Sequence, residues 1–173
     1  EARAFSEGKR WAERSGDATA DGLLETAYSI VANMTGRIEE GVRHAREGQR
    51  LLQQAKDEEM RALAPWTGAY PLFCAGQLSR SRELTEALIE STRGHPEWGF
   101  ALWSLSAAAW STFMLGQIGI FDGNLETAKA QIERGIELAR QCGDTESEGW
   151  ALCWLGAAAD IAGDVESGLG PCQ

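Results

Sequence analysis

A motif that occurs three times constrains the fold of this chain more than any other feature. In each copy a glycine precedes a large apolar side chain by three residues and an aspartate by nine. The copies span residues 5–17, 45–57 and 132–144. Self-similarity at a fixed internal spacing is typical of proteins built from structural repeats. The sequence therefore predicts a repeat architecture.

The periodicity of the apolar residues predicts that these repeats are helical. Apolar side chains recur every three or four residues, and no segment shows the apolar–polar alternation of a half-buried strand. Candidate turn glycines measure the period, since Gly36 and Gly76 are 40 residues apart and so are Gly123 and Gly163. The predicted fold class is all-α, an α-solenoid of tandem antiparallel helix hairpins with a period of about 40 residues.

Aspartates that can cap helix N-termini indicate where three hairpins begin, at Asp17, Asp57 and Asp144. Within the hairpins, Gly48 and Gly135 are expected to let neighbouring helices approach closely. We expect one repeat domain over residues 1–173, excerpted from a longer protein. Its predicted units are 1–16 (partial), 17–56, 57–94, 95–143 and 144–173 (partial).

The second repeat departs from a regular hairpin because its first helix contains two prolines. Pro65 and Pro71 each remove a backbone donor and disturb the preceding turn. We therefore expect the helix over 58–75 to be kinked or broken.

The third repeat is longer and contains the most apolar stretch of the chain. Its turn glycines, Gly76 and Gly123, are 47 residues apart, about seven more than elsewhere, and residues 98–121 carry no charge. We expect one helix there, with Pro96 at its first position. A membrane span is the alternative, but the flanking residues Glu97 and Asp122 are acidic and flanking cations are absent. A helix buried in a soluble protein is favoured.

The formal net charge of −10 is concentrated in the second half of the chain. Residues 1–95 carry 13 basic and 15 acidic side chains, whereas residues 96–173 carry 3 and 11. An acidic surface repels phosphates, so nucleic-acid binding is excluded as a function. The acidic half is interpreted as a solvated face, with a cationic partner as the alternative.

The residues that carry catalysis or metal binding form no recognisable motif. The four cysteines include no Cys-x-x-Cys pair, and phosphate-binding and hydrolase motifs are absent from the sequence. His44 is predicted on a polar helix face and His95 in a turn, both at the surface. We expect no cofactor, no metal, no membrane segment and no enzyme activity in this chain. No signal peptide is visible, so the cytoplasm is the expected compartment.

Small and large residues in the fourth unit resemble the tetratricopeptide-repeat (TPR) pattern. The matching positions are Leu152, Leu155, Gly156, Ala159, Gly163 and Gly168, with Ala128, Ile132 and Gly135 similar to second-helix positions. A repeat of 40 residues exceeds the usual length of about 34. It is nearer the longer hairpins of large bacterial regulators such as LuxR-type ATP-binding activators and AAA-ATPase-linked adenylate cyclases. The resemblance implies a sensor or partner-docking arm.

The chain contains seven tryptophans, an unusually large number, and their positions bear on its function. Trp103 and Trp110 are seven residues apart on the predicted third-repeat helix, Trp150 and Trp154 are four apart on the next, and Trp66 belongs to the second repeat. All five are predicted on first helices, which line the concave side of TPR-like solenoids. Core packing between helix layers is one interpretation, and an aromatic groove for an apolar side chain, a peptide or a small ligand is the other.

Two functional hypotheses follow. The first is a non-catalytic interaction module that binds a peptide, a protein or another domain of the same chain on its concave face. The second is a small-molecule sensor with a tryptophan-lined effector pocket. An enzyme is a remote third.

Overall fold

The computed structural model describes residues 2–164, and every regular element in that range is helical. This all-α architecture of tandem hairpins is the predicted α-solenoid. The chain divides into two compact units, Glu1–Leu84 and Thr85–Gln173, here termed the N-terminal and C-terminal halves. The helices are α1 (Ala2–Ser15), α2 (Ala18–Met34), α3 (Ile38–Leu52), α4 (Glu58–Ala62), α5 (Trp66–Cys74), α6 (Leu78–Ser91), α7 (Phe100–Trp103), α8 (Ala107–Phe121), α9 (Leu125–Cys142) and α10 (Thr145–Ile161).

Local capping chemistry sets the helix starts, as the sequence predicts. The carboxylates of Asp17, Asp57 and Asp144 accept hydrogen bonds from the backbone N–H groups of Thr19, Met60 and Ser147. Each bond satisfies a donor that the first turn of a helix leaves without a partner.

The predicted turn glycines are confirmed. Gly36, Gly76, Gly123 and Gly163 have φ values of +80°, +70°, +78° and +77°. Side chains with a Cβ rarely adopt this left-handed conformation, which ends the preceding helix and reverses the chain. The spacing of 40 residues between members of each pair is therefore the spacing of hairpin corners.

The N-terminal half is organised around the α2–α3 hairpin. A Cβ atom at Gly48 would lie 2.9 Å from the Thr26 hydroxyl and 3.1 Å from the Gly22 carbonyl oxygen, so the two helices are in backbone contact there. The first helix of the second repeat is broken, as the two prolines predict. Residues 63–65 separate α4 from α5, and Pro71 lies inside α5.

The C-terminal half packs α9 between α8 and α10. At Gly135 a Cβ atom would lie 2.8 Å from the backbone nitrogen of Phe113, which confirms the predicted close approach. Its core contains residues of all three helices: Phe113, Ile120, Ala128, Ile132, Ile136, Ala151 and Ala158.

The single helix predicted over 98–121 is wrong. Ser104 adopts a left-handed φ of +58° after the short α7, and α8 begins only at Ala107. The break is fixed by Ser106, whose hydroxyl caps α8 and whose backbone N–H donates to the buried Asp144 carboxylate at 2.6 Å. Pro96 lies in the preceding turn rather than at a helix start. Within the described range, no helix combines the length and apolarity that crossing a membrane requires.

The seven additional residues of the third repeat belong to this connection between α6 and α8. Trp103 ends α7 and Trp110 lies on α8, so the prediction that they share one helix is also wrong. The predicted partner helix after Asp164, with Gly168, Gly170, Pro171 and Cys172, lies outside the described residues.

Candidate partner-binding surface

The five predicted tryptophans occupy different environments. Trp66 lies on α5 in the N-terminal half with only 6% of its surface exposed, so it is a core residue there. Trp103, at the end of α7 in the C-terminal half, is half-buried. The remaining three, Trp110, Trp150 and Trp154, lie on α8 and α10.

Trp110 and Trp154 combine a core role with partial exposure. Both are half-buried and pack against the C-terminal core. The Trp110 ring meets Phe113 edge-on with centroids 6.1 Å apart. These contacts hold the indole rings in fixed orientations, so each ring presents a preformed apolar surface.

Trp150 and Phe121 extend this apolar surface into solvent. Trp150 is 57% exposed and Phe121 is 59% exposed. The Phe121 ring contacts the half-buried Trp154 with centroids 6.1 Å apart, so α8 and α10 meet at this point. Ile161, at the end of α10, is 60% exposed.

Helical register relates these residues along each of the two helices. Trp110 and Phe121 are eleven residues apart on α8, and so are Trp150 and Ile161 on α10. Eleven residues are close to three whole turns, so each pair shares one face of its helix. We call the set Trp110, Phe121, Trp150, Trp154 and Ile161 the α8–α10 surface. Phe121 and Ile161 are not among the predicted site residues, although the eleven-residue spacing is present in the sequence.

A cavity of about 270 Å³ lies on the other side of α10, against α9. None of the tryptophans lines it. Its walls are formed by Leu125, Glu126, Lys129, Glu133, Leu155, Ala158, Ala159, Ala162 and Asp164.

The N-terminal half contains a buried network of charged and aromatic side chains that the sequence analysis did not predict. The Lys9 ammonium on α1 donates to Asp21 and, at 2.8 Å, to Glu25 of α2. The other Glu25 oxygen accepts from Nδ1 of His44 on α3. The prediction of His44 as a surface residue is wrong, because its side chain is only 15% exposed.

The aromatic rings of Phe5 and Tyr28 enclose this network. Both rings contact the His44 imidazole, with centroids 5.3 and 4.6 Å away. The Tyr28 hydroxyl donates to Glu40 and accepts from Arg37. Since each of these groups is paired with another, the arrangement joins α1, α2 and α3 and serves packing.

The cysteine thiol at position 74 is not activated for nucleophilic chemistry. Burial raises the pKa of the Cys74 thiol, outweighing the opposite effect of its hydrogen bond with Tyr70. A thiol with a raised pKa is protonated at neutral pH and reacts slowly. Over residues 2–164, no group of three histidine, cysteine or acidic side chains is arranged to hold a metal ion.

No protein-family model and no curated protein matches the sequence, but solved structures do. The crystal structure of BtubC (BKLC) from P. vanneervenii matches with a TM-score of 0.71 at 15% identity, over 98% of this chain and 67% of that one. Two crystal structures of a putative kinesin light chain from Podosopora anserina, with nearly identical TPR-like repeats, have TM-scores of 0.64 and 0.61. Both are 13% identical over 98% of this chain and 90% of theirs. These likenesses show the fold, a TPR-like α-solenoid.

Proposed function

We propose that this chain is a non-catalytic protein-interaction module that binds a peptide or a partner domain on the α8–α10 surface. The observation that carries the proposal is the exposure of Phe121 and Trp150 beside the half-buried Trp154, which contacts Phe121 and packs against the core. Exposed contiguous apolar patches are costly in water and mark interaction sites. Tryptophans that are fixed on a rigid support are frequent anchors of protein interfaces.

The TPR-like fold supports this assignment, because α8 is the first helix of its hairpin and α10 is the helix predicted to begin the next one. First helices are expected to line the concave side of such a solenoid, where partners bind. We infer a signalling or regulatory role in the cytoplasm, which the resemblance to helical-repeat regions of large bacterial regulators supports. The partner is then a separate protein, a peptide or another domain of the same chain.

The alternative function, a small-molecule sensor, requires an effector pocket lined by the tryptophans of the third and fourth repeats. The cavity against α9 has a volume of about 270 Å³, below the usual range for ligand pockets, and no tryptophan wall. A cavity of about 320 Å³ is lined by Trp11, but all of its lining residues lie on α1, outside those repeats. The α8–α10 surface instead exposes Phe121 and Trp150 to solvent, which suits a protein partner better than an enclosed metabolite.

Affinity capture with three forms of the chain tests the proposal. The wild type is compared with Phe121→Ser/Trp150→Ser and with Trp11→Ser, a control on α1 whose removed tryptophan is 66% exposed. We expect cross-linking in the source cells, followed by mass spectrometry, to identify proteins bound by the wild type and the control but lost with the double variant. Identical captured sets for all three forms, or no captured protein, would refute the proposal.

A further inference from the structure

We propose that the α8–α10 surface binds a short basic amphipathic helix, in which large apolar side chains are flanked by lysine or arginine. This inference rests on the proposed function, because it assigns the chemistry of the partner to the same surface. It is carried by the shape of the surface and by the sign of the charges around it.

The apolar part of the surface has the dimensions of a helix of about three turns. On α10, Trp150, Trp154 and Ile161 line one face over eleven residues, roughly 16 Å. On α8 only Phe121 is exposed on the corresponding face, because Met114 and Gln117, between Trp110 and Phe121, are buried. Phe121 contacts Trp154, so it widens the α10 stripe. An exposed apolar stripe of this length offers a face on which the apolar face of another helix packs.

Every charge on the two helices that carry this surface is negative. The sequence of α8 contains no charged residue, and α10 contains Glu146, Glu148 and Asp160 but neither lysine nor arginine. Glu146 lies one turn before Trp150, and Asp160 is adjacent to Ile161; both carboxylates are exposed. The apolar stripe of α10 is thus bordered by an acid at each end.

The basic residues between positions 96 and 164 lie on α9 and are paired with other carboxylates. Lys129 is 4.0 Å from Glu133, Arg134 is 2.8 Å from Glu137, and Arg140 is 2.7 Å from Glu148. These pairs leave the charges of Glu146 and Asp160 available to a partner. Complementary charge would accelerate association and fix the orientation of the bound helix.

Helix stability does not account for both border acids. Glu146 in the first turn of α10 interacts favourably with the helix dipole, but Asp160 is the penultimate residue, where a carboxylate is unfavourable. The last turn of α10 contains no basic residue to offset it. A lysine or arginine of the bound helix would form an ion pair with Asp160.

Binding of three fluorescein-labelled peptides of about 16 residues tests the inference. The first has leucine and tryptophan on one helical face flanked by lysines; the second replaces the lysines by glutamate; the third replaces the apolar residues by alanine. Fluorescence anisotropy should show the first binding at least tenfold more tightly than either other peptide. Its affinity should fall as salt is raised, because the attraction is between exposed charges.

Charge reversal locates the binding site. Glu146→Lys/Asp160→Lys should invert the preference, so that the glutamate peptide binds more tightly than the lysine peptide. Glu126→Lys/Glu133→Lys on α9 changes the net charge equally and should keep the wild-type preference. An equal effect of both variants would show that net charge alone decides and would overturn the inference, as would tight binding of the glutamate peptide to the wild type.

The two proposals fail in distinguishable ways. If Phe121→Ser/Trp150→Ser loses its captured protein while the peptides show no charge preference, the proposed function stands and the basic helix does not. If neither capture nor peptide binding depends on Phe121 and Trp150, both proposals fall. Circular dichroism melts of each variant establish that the fold is retained.

Discussion

The two halves of the molecule differ in which side chains they bury and which they expose. The N-terminal half buries charges and pairs them, as Glu25 does with Lys9 and His44. The C-terminal half has an uncharged helix, α8, and exposes the apolar residues Phe121 and Trp150. Buried ion pairs penalise wrong helix registers because an unpaired buried charge is costly. These exposed apolar side chains are the ones that the proposed function assigns to partner binding.

Close backbone contact is the feature that the two halves share, and breaking it has the largest expected effect. In Gly135→Ala the new Cβ would lie 2.8 Å from the Phe113 nitrogen, and backbone cannot yield as a side chain can. The overlap costs about 3 kcal/mol, partly offset by about 1 kcal/mol from replacing a helical glycine. Chemical denaturation should show a net loss of about 2 kcal/mol.

Two other glycines make that prediction specific. In Gly48→Ala of the N-terminal half the new Cβ would meet the Thr26 hydroxyl at 2.9 Å and backbone atoms only at 3.1 Å or more, so its net loss should be smaller than that of Gly135→Ala. Gly149→Ala on α10 meets nothing within 4 Å and should stabilise the protein by about 1 kcal/mol. Equal stability of the Gly135 and Gly149 variants would contradict the close packing of α9 on α8.

Removing a buried charge is the second test and acts only on the N-terminal half. Glu25→Ala leaves Lys9 and His44 without their shared carboxylate, which is 6% exposed. Removing one partner of a fully buried ion pair lowers the free energy of unfolding by several kcal/mol. Because Lys9 is partly exposed and water screens its charge, we expect Glu25→Ala to lower it by about 1.5 kcal/mol. Chemical denaturation measures this loss.

The matched control is Glu47→Ala on α3. Glu47 pairs with Arg50, but both side chains are about half exposed, at 43% and 55%. Water screens such a pair, so its removal should change the free energy of unfolding far less than Glu25→Ala does. Comparable losses in the two variants would show that the Glu25 network is not a stabilising feature.

The parts of the fold that depend on local chemistry were predictable from the sequence. Asp17 and Asp57 cap the helices that follow them, and Pro65 separates two helices, because each effect acts within one turn of the chain. The end of α7 was not predictable. It depends on Ser106 donating to Asp144, 38 residues further along the chain, and nothing in the local apolar pattern signals that bond.

Residue type alone could not separate core from surface among the tryptophans. Trp66 and Trp150 both lie on helices with apolar neighbours, yet one is 6% exposed and the other 57%. Their burial depends on which helices pack against them. The same limit applies to His44, which has charged neighbours in sequence but faces Phe5 and Tyr28 in space. The aromatic groove itself stays a prediction for the capture experiment.

The smallest expected effect is a pH dependence confined to the N-terminal network. Burial by itself lowers the pKa of Lys9, but the hydrogen bonds and negative charges of Asp21 and Glu25 together outweigh it, so the pKa is raised. Because the pKa of Lys9 is higher in the folded than in the unfolded state, its ammonium stabilises the fold fully at pH values below the unfolded-state pKa of 10.5. This contribution is lost as the pH rises through the pKa of Lys9 in the folded state.

Comparison of the wild type with Lys9→Met isolates this effect from the other titrating groups, since Tyr70 and Cys74 are common to both proteins. Thermal unfolding should show the wild type more stable by a constant margin between about pH 7 and pH 10, because Lys9 remains charged throughout that range. The margin should shrink at higher pH. A margin that instead grows with alkalinity would mean that Lys9 is held in the neutral form, and that the two carboxylates of α2 do not bind it as a cation.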